Sequence, residues 1–300
     1  MGQPDTGLNF NNGGGRLNKE TKALLAVLPA AAVIFLFFII PMFISVERSM
    51  LSSTGEYIGL SAYSDMFNNK DFSDAFVYTL KISLFSTCLA VVAALGVAMA
   101  LRHTFIGKKI SLFLFQMNAS IPHLSVAAMM LFLLLPLGFI SGISAQLGII
   151  GSPFEFPLLV RGKSGVGTIL SFAWKFAPFI GLSVLSVLQS AAPEYEEQAA
   201  TLGVGPYRRF VYILLPMIKP ALIASFIICF AFAFGSYEVP LILGESSTLA
   251  KLSFDIFNTP FMASRKPEAY AISNLITLVT LAISIVYFMF MTPRRKKVRS

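Results

Sequence analysis

Six apolar runs, each of about twenty residues or more, leave this chain few ways to fold. A helix rising about 1.5 Å per residue crosses the ~30 Å hydrocarbon layer of a bilayer in about twenty residues, and it satisfies every backbone group within itself. The runs are 22–45, 75–101, 111–139, 165–189, 221–244 and 269–291. They predict an all-α integral membrane protein with six transmembrane helices. Composition agrees, with 56% hydrophobic residues, 13% charged residues and a mean hydropathy of +0.74. No small-residue cleavage site follows the first run, so it is expected to be a retained span.

Six spans put both termini on one side, and the charges say which. With the termini inside, the inner segments hold Arg16, Lys19, Lys22, Arg102, Lys108, Lys109, Arg208, Arg209, Lys219, Arg294, Arg295, Lys296, Lys297 and Arg299. These are fourteen of the 23 basic residues. Nine of the fifteen acidic residues fall outside. The positive-inside bias therefore makes both termini cytoplasmic. Residues 1–21, polar and rich in Gly and Asn, read as a mobile N-terminal tail, 22–291 as the membrane domain, and 292–300 as a basic tail. The net charge of +8 belongs to this topology and implies no nucleic acid.

Catalytic chemistry has no foothold. The chain lacks a Gly-x-x-x-x-Gly-Lys-Ser/Thr loop, a His-Glu-x-x-His pair and a Gly-x-Ser-x-Gly elbow. Cys88 and Cys229 lie in apolar runs, and His103 and His123 have no ligand pattern around them, so no metal site is expected.

The polar stretch 190–220, SAAPEYEEQAATLGVGPYRRFVYILLPMIKP, is the only sizeable charged segment in the interior of the sequence. Pro193 suits a first helical turn, Glu194 to Leu202 favours helix, and Gly203 stands where a left-handed cap is wanted. Val204-Gly205-Pro206 predicts a turn and Tyr207 to Leu215 a second short helix. Pro216 and Pro220 are expected to break or re-aim the chain before the next span. The whole reads as a helix-turn-helix at the cytoplasmic membrane surface.

Glu197, Ala199, Gly203 and the ending Ile213-Leu214-Leu215-Pro216 stand at the spacing of a known motif. They resemble the EAA loop of permease subunits of binding-protein-dependent ABC importers, with Gln198 and Thr201-Leu202 departing from the usual pattern. The resemblance extends over residues 22–291 in span count and loop lengths, and it implies the type I ABC importer permease fold. By the same resemblance, two ATP-binding subunits, a second permease subunit and an extracytoplasmic solute-binding protein are partners in the bacterial inner membrane. ATP and Mg would be bound by the ATPase, with no cofactor in this chain. Glu194, Glu197, Ala199, Ala200, Gly203 and Arg208 are the expected ATPase-coupling residues: Glu197 for polar contact, Ala199 for close packing, Gly203 for the turn.

Ionisable residues inside a membrane are candidates for function. Gly235, Ser236, Tyr237 and Glu238, interrupted by Pro240, and Lys175 in the fourth span are expected to border a translocation path. Alternatively, Glu238 and Lys175 pair, or reach the headgroups, and only hold spans together. Within the importer group that the chain resembles, the stretch FGSYEVPLILG (234–244) and the compact outer loops look closer to the polyamine, phosphonate and inorganic-ion branch than to the sugar branch, which implies such a substrate. The alternatives are a sugar-type importer permease or an ion-coupled carrier acting alone.

Overall fold

The computed structural model describes residues 19–190, 192–244 and 248–291. The expected tails lie outside these residues, apart from Lys19 to Thr21, which begin the first helix. Six helical runs are long and apolar enough to span a membrane: Leu25–Ser49, Lys70–Leu101, His123–Gln146, Val166–Ser190, Pro206–Gly235 and Pro260–Met289. The chain divides after Glu47 into two units.

The first unit carries α1 (Lys19–Ile34), a π turn (Phe35–Ile39) and the start of α2 (Ile40–Ser49). The π turn ends two residues before Pro41, and Ile40 donates its N–H to the Phe35 carbonyl. A one-residue shift of the hydrogen-bond ladder lets a proline without an N–H sit in an apolar span without ending it.

The second unit opens with α3 (Ser61–Asn68) and α4 (Lys70–Leu101), a helix of 32 residues. Asn69 caps α4 by accepting the Asp71 N–H at 2.9 Å. Its buried face carries Ala90, Ala94 and Ala98 at every fourth position, and α8 (Val166–Ser190) packs there. Gly181 of α8 extends the fit: a Cβ there would stand 2.7 Å from the Phe115 ring and 3.5 Å from the Ala94 carbonyl.

The third expected span is not one helix. α5 (Lys108–Ser120) stops, Ile121 is extended (φ −73°, ψ 131°), and α6 (His123–Leu134) starts anew after Pro122. The proline clashes with a helical preceding residue, so the ladder ends at Ser120. A short α7 (Phe139–Gln146) completes that run.

Two expected breaks are absent. Pro216 and Pro220 lie inside a continuous run made of α10 (Pro206–Arg209), a π turn (Phe210–Leu214) and α11 (Leu215–Gly235). The predicted second short helix is the foot of the fifth span. The physical reason repeats that in the first unit: the π turn ends two residues before Pro216, and Leu215 donates to the Phe210 carbonyl. The fifth run is interrupted instead at Ser236, which is extended (ψ 133°), before α12 (Glu238–Ile242). Helices α13 (Leu249–Asn258) and α14 (Lys266–Met291) end the described chain.

Candidate coupling loop and membrane-interior site

The first turn of the loop at the inner end of α8 is fixed by local chemistry. α9 (Ala192–Thr201) ends at Gly203, whose φ is +73°. Gly203 donates its N–H to Ala200 O and Val204 donates to Ala199 O, both at 3.0 Å. This pair of bonds is a Schellman cap, and it needs a residue without a Cβ penalty at position 203. A Cβ on Gly203 would meet nothing within 4 Å, so the glycine serves the backbone and not a crowded contact.

The expected coupling residues separate into two faces. Glu194, Glu197, Ala200, Gly203 and Arg208 are exposed, whereas Ala199 is buried toward the π turn of the fifth span. Leu202 is 82% exposed beside Gly203, and Tyr207 is exposed just after it. Sequence reading passed over Leu202 as a helix former.

Glu196 was also outside the expected set. Its Oε2 stands 2.6 Å from Nη1 of Arg102, directly after α4, and the two side chains are only 20% and 15% exposed. Behind α9 lies a groove of about 540 Å³ lined by Arg102, His103, Glu196, Glu197, Arg209 and Phe210, among others. Within it the buried Nε of Arg209 has no hydrogen-bond partner.

Lys175 lies within the fourth span, whereas Glu238 stands just beyond the end of the fifth run, at the start of α12. Lys175 is 8% exposed, and its ammonium donates to the carbonyls of Asn118 (3.0 Å), Ala119 (2.9 Å) and Ile121. All three of its donors are engaged. It caps the C-terminal end of α5, where freed carbonyls and the negative end of the helix dipole favour a cation. The reciprocal bond has an equally simple origin. Pro178 lacks the N–H that Trp174 O would have accepted, and Nδ2 of Asn118 donates to that oxygen at 2.7 Å. The two interruptions therefore satisfy one another.

Among the described residues no ion pair joins Lys175 to Glu238. Gly235 and Glu238 are exposed, Ser236 and Tyr237 half-buried, all around the break in the fifth run. Lys175 and the neighbouring His123, Phe176, Cys229 and Phe232 line a hollow of about 220 Å³. His123 stacks on Phe232 with ring centroids 4.4 Å apart. His123 had no ligand pattern in sequence, and only the fold brings it to this hollow. Among the described residues no group of three or more His, Cys, Asp or Glu side chains could hold a metal.

Six helical runs are long and apolar enough to cross a membrane, and the loop after α8 carries a folded turn. The chain belongs to the binding-protein-dependent transport system inner membrane component family, whose model matches residues 90–299. It is an ABC importer permease subunit of the inner membrane. One similar chain is the sn-glycerol-3-phosphate transport system permease protein UgpA of Yersinia pestis bv. Antiqua (strain Antiqua), 25% identical over 92% of this chain and 94% of that one. Another is the putative 2-aminoethylphosphonate transport system permease protein PhnU of Salmonella typhi, 25% identical over 88% of each chain. The trehalose transport system permease protein SugA of Mycobacterium tuberculosis (strain CDC 1551 / Oshkosh) is 23% identical over 93% and 91%. A solved bacterial alginate ABC transporter, in complex with an alginate pentasaccharide-bound periplasmic protein, shares the fold with a TM-score of 0.70. It is 18% identical over 90% of this chain and 93% of its own.

Proposed function

We propose that this permease subunit forms half of a translocation path for a small polyhydroxylated solute or its phosphate ester, delivered by an extracytoplasmic binding protein. The relatives named for glycerol phosphate and trehalose favour this sugar-type reading over the polyamine or inorganic ion expected from 234–244, and one relative keeps a phosphonate in view. Two ATP-binding subunits, which hold ATP and Mg, and a second permease subunit complete the assembly. The observation that carries the reading is the folded turn at Gly203, with Leu202 projecting from it and Glu194, Glu197, Ala200 and Arg208 exposed around it. A rigid apolar knob ringed by charge is suited to a groove on a soluble partner.

The test is affinity purification of the tagged chain from its native host in mild detergent, with mass spectrometry of what accompanies it. An ATPase, a binding protein and a second permease are expected with the wild type. Leu202→Glu is expected to reduce the recovered ATPase by about tenfold or more, since burying an unpaired carboxylate at such a contact costs well over 1.4 kcal/mol. A chain that purifies alone and moves solute in liposomes without ATP would overturn the reading in favour of a lone carrier.

Glu238 supplies a second check. We infer that Gly235, Ser236, Tyr237 and Glu238 border the path, because a broken helix with polar groups is tolerated at membrane depth where it lines a cavity. Lys175 shapes the wall by holding the neighbouring break and is too fully bonded to meet solute. Glu238→Gln should leave assembly unchanged and lower uptake of glycerol 3-phosphate or trehalose, whichever the wild type carries, by about tenfold. Normal uptake by the variant would remove Glu238 from the path.

A further inference from the structure

The helix α4 is tied down at both ends by side chains that no expected site contains. At its inner end Arg102 pairs with Glu196 of α9 at 2.6 Å across 94 positions of sequence. At its outer end Nδ2 of Asn69 donates to Oε1 of Glu268 at 2.9 Å, and Arg265 closes on both Glu268 (2.8 Å) and Asp71 (3.9 Å). Between two and three turns further in, the buried Thr79 hydroxyl oxygen accepts the Leu249 N–H at 2.9 Å and so fixes the start of α13. Between these joints α4 runs for 32 residues without a proline, about 48 Å. α8, the span covalently joined to α9, carries Pro178 in its middle, and the third and fifth runs are interrupted at Ile121 and Ser236. α4 is also packed laterally against α8 along the buried Ala90, Ala94 and Ala98.

The outer end leads to a groove of about 520 Å³ between α4, α13 and the turn before α14. Asp71, Asp74, Ala75 and Tyr78 of α4 line it, opposite Asp255 and Arg265. The inner end lines the groove behind α9 with Met99, Arg102 and His103. One straight helix thus belongs to both surfaces.

We propose that α4 is the rod that carries movement of the coupling helix to the outer face, with the Arg102–Glu196 ion pair as its inner joint. This rests on the coupling role of α9 proposed above. Glu196 is then a positioning residue: it holds α9 to the rod, while exposed Glu194 and Glu197 are left to the ATPase. When the ATP-binding subunits close, α9 moves, the ion pair draws the end of α4 with it, and Thr79 and Asn69 shift α13 and α14 at the other side.

The experiment uses the complete complex purified with its ATPase, in nanodiscs, with Cys88→Ser and Cys229→Ser as background. Asp74→Cys reports on the outer groove through its rate of reaction with a membrane-impermeant maleimide, with and without trapping by ATP and vanadate. Trapping is expected to change that rate by about fivefold or more, the low end of coupling between distant sites. Adding Glu196→Gln should erase the change while the ATPase still co-purifies and hydrolyses ATP at its basal rate. The charge exchange Arg102→Glu with Glu196→Arg should restore it, which a merely structural loss would not. A nucleotide-dependent change that survives Glu196→Gln overturns the rod, as does loss of the ATPase from that variant, which would make Glu196 a docking residue. Absence of any ATPase from the wild-type complex would instead overturn the coupling role of α9.

Discussion

Lys175→Met is expected to remove most of the folded protein from the membrane. The wild-type ammonium serves Asn118 O, Ala119 O and Ile121 O at once, in the break between α5 and α6. Methionine fills the same volume and donates nothing, so three carbonyls lose their partner where no bulk water replaces it. Removing one side of a buried charged network costs about 3–5 kcal/mol, a large share of the 5–15 kcal/mol that holds a typical domain together. The measurement is the yield and thermal midpoint of the tagged chain by size-exclusion chromatography in mild detergent. Lys175→Arg should recover part of the loss, because a planar guanidinium keeps the charge but cannot converge on three oxygens with the geometry of an ammonium. A sharp peak of Lys175→Met at wild-type yield and midpoint would show that the cap is not what holds the third and fourth spans together.

Gly203→Val is expected to abolish ATP-driven uptake while leaving the membrane domain folded. At φ +73° a β-branched residue is strongly disfavoured, and the local cost of about 1–2 kcal/mol falls on the cap alone, because no neighbour stands within 4 Å to be displaced. The Val204-to-Ala199 bond then opens and Leu202 leaves its place. Uptake should fall about a hundredfold or more, since a displacement of about 1 Å at a positioned contact already costs that much in well-studied systems. Gly203→Asn, which tolerates the left-handed region, should retain far more activity. Equal uptake by Gly203→Val and wild type would show that the cap does not position the docking turn.

What could be read from the sequence divides by range. Membrane spans need only length and hydropathy, and the α9 turn needs only helix formers followed by glycine, so both were legible from neighbouring residues. Lys175 was legible as exceptional, yet its partners lie 54–57 positions away and nothing local reveals which of three faces it takes. Pro216 does not break the chain because the π turn at Phe210–Leu214 shifts the ladder just before it, whereas the local rule for proline assumes an α ladder; Pro220 lies inside α11 without such a shift. Pro122 obeyed that rule and was missed only because hydropathy runs on across it. Glu196 was indistinguishable from Glu194 and Glu197 until the fold brought Arg102 beside it. His103 and His123 were dismissed for lacking a motif, although His103 lines the groove behind α9 and His123 the hollow beside Lys175.

The Schellman cap has a further consequence for the rhythm of transport. Residues 198–204 hold their conformation through their own backbone bonds. Fixing a flexible backbone costs about 1–2 kcal/mol per residue, so a disordered loop of that length would lose on the order of 10 kcal/mol of freedom each time it engaged. Here that ordering entropy is lost once, when the chain folds. On the coupling role proposed for α9, contact with the ATPase would loosen and re-form as a collision between two finished shapes, with no folding step in the turnover time.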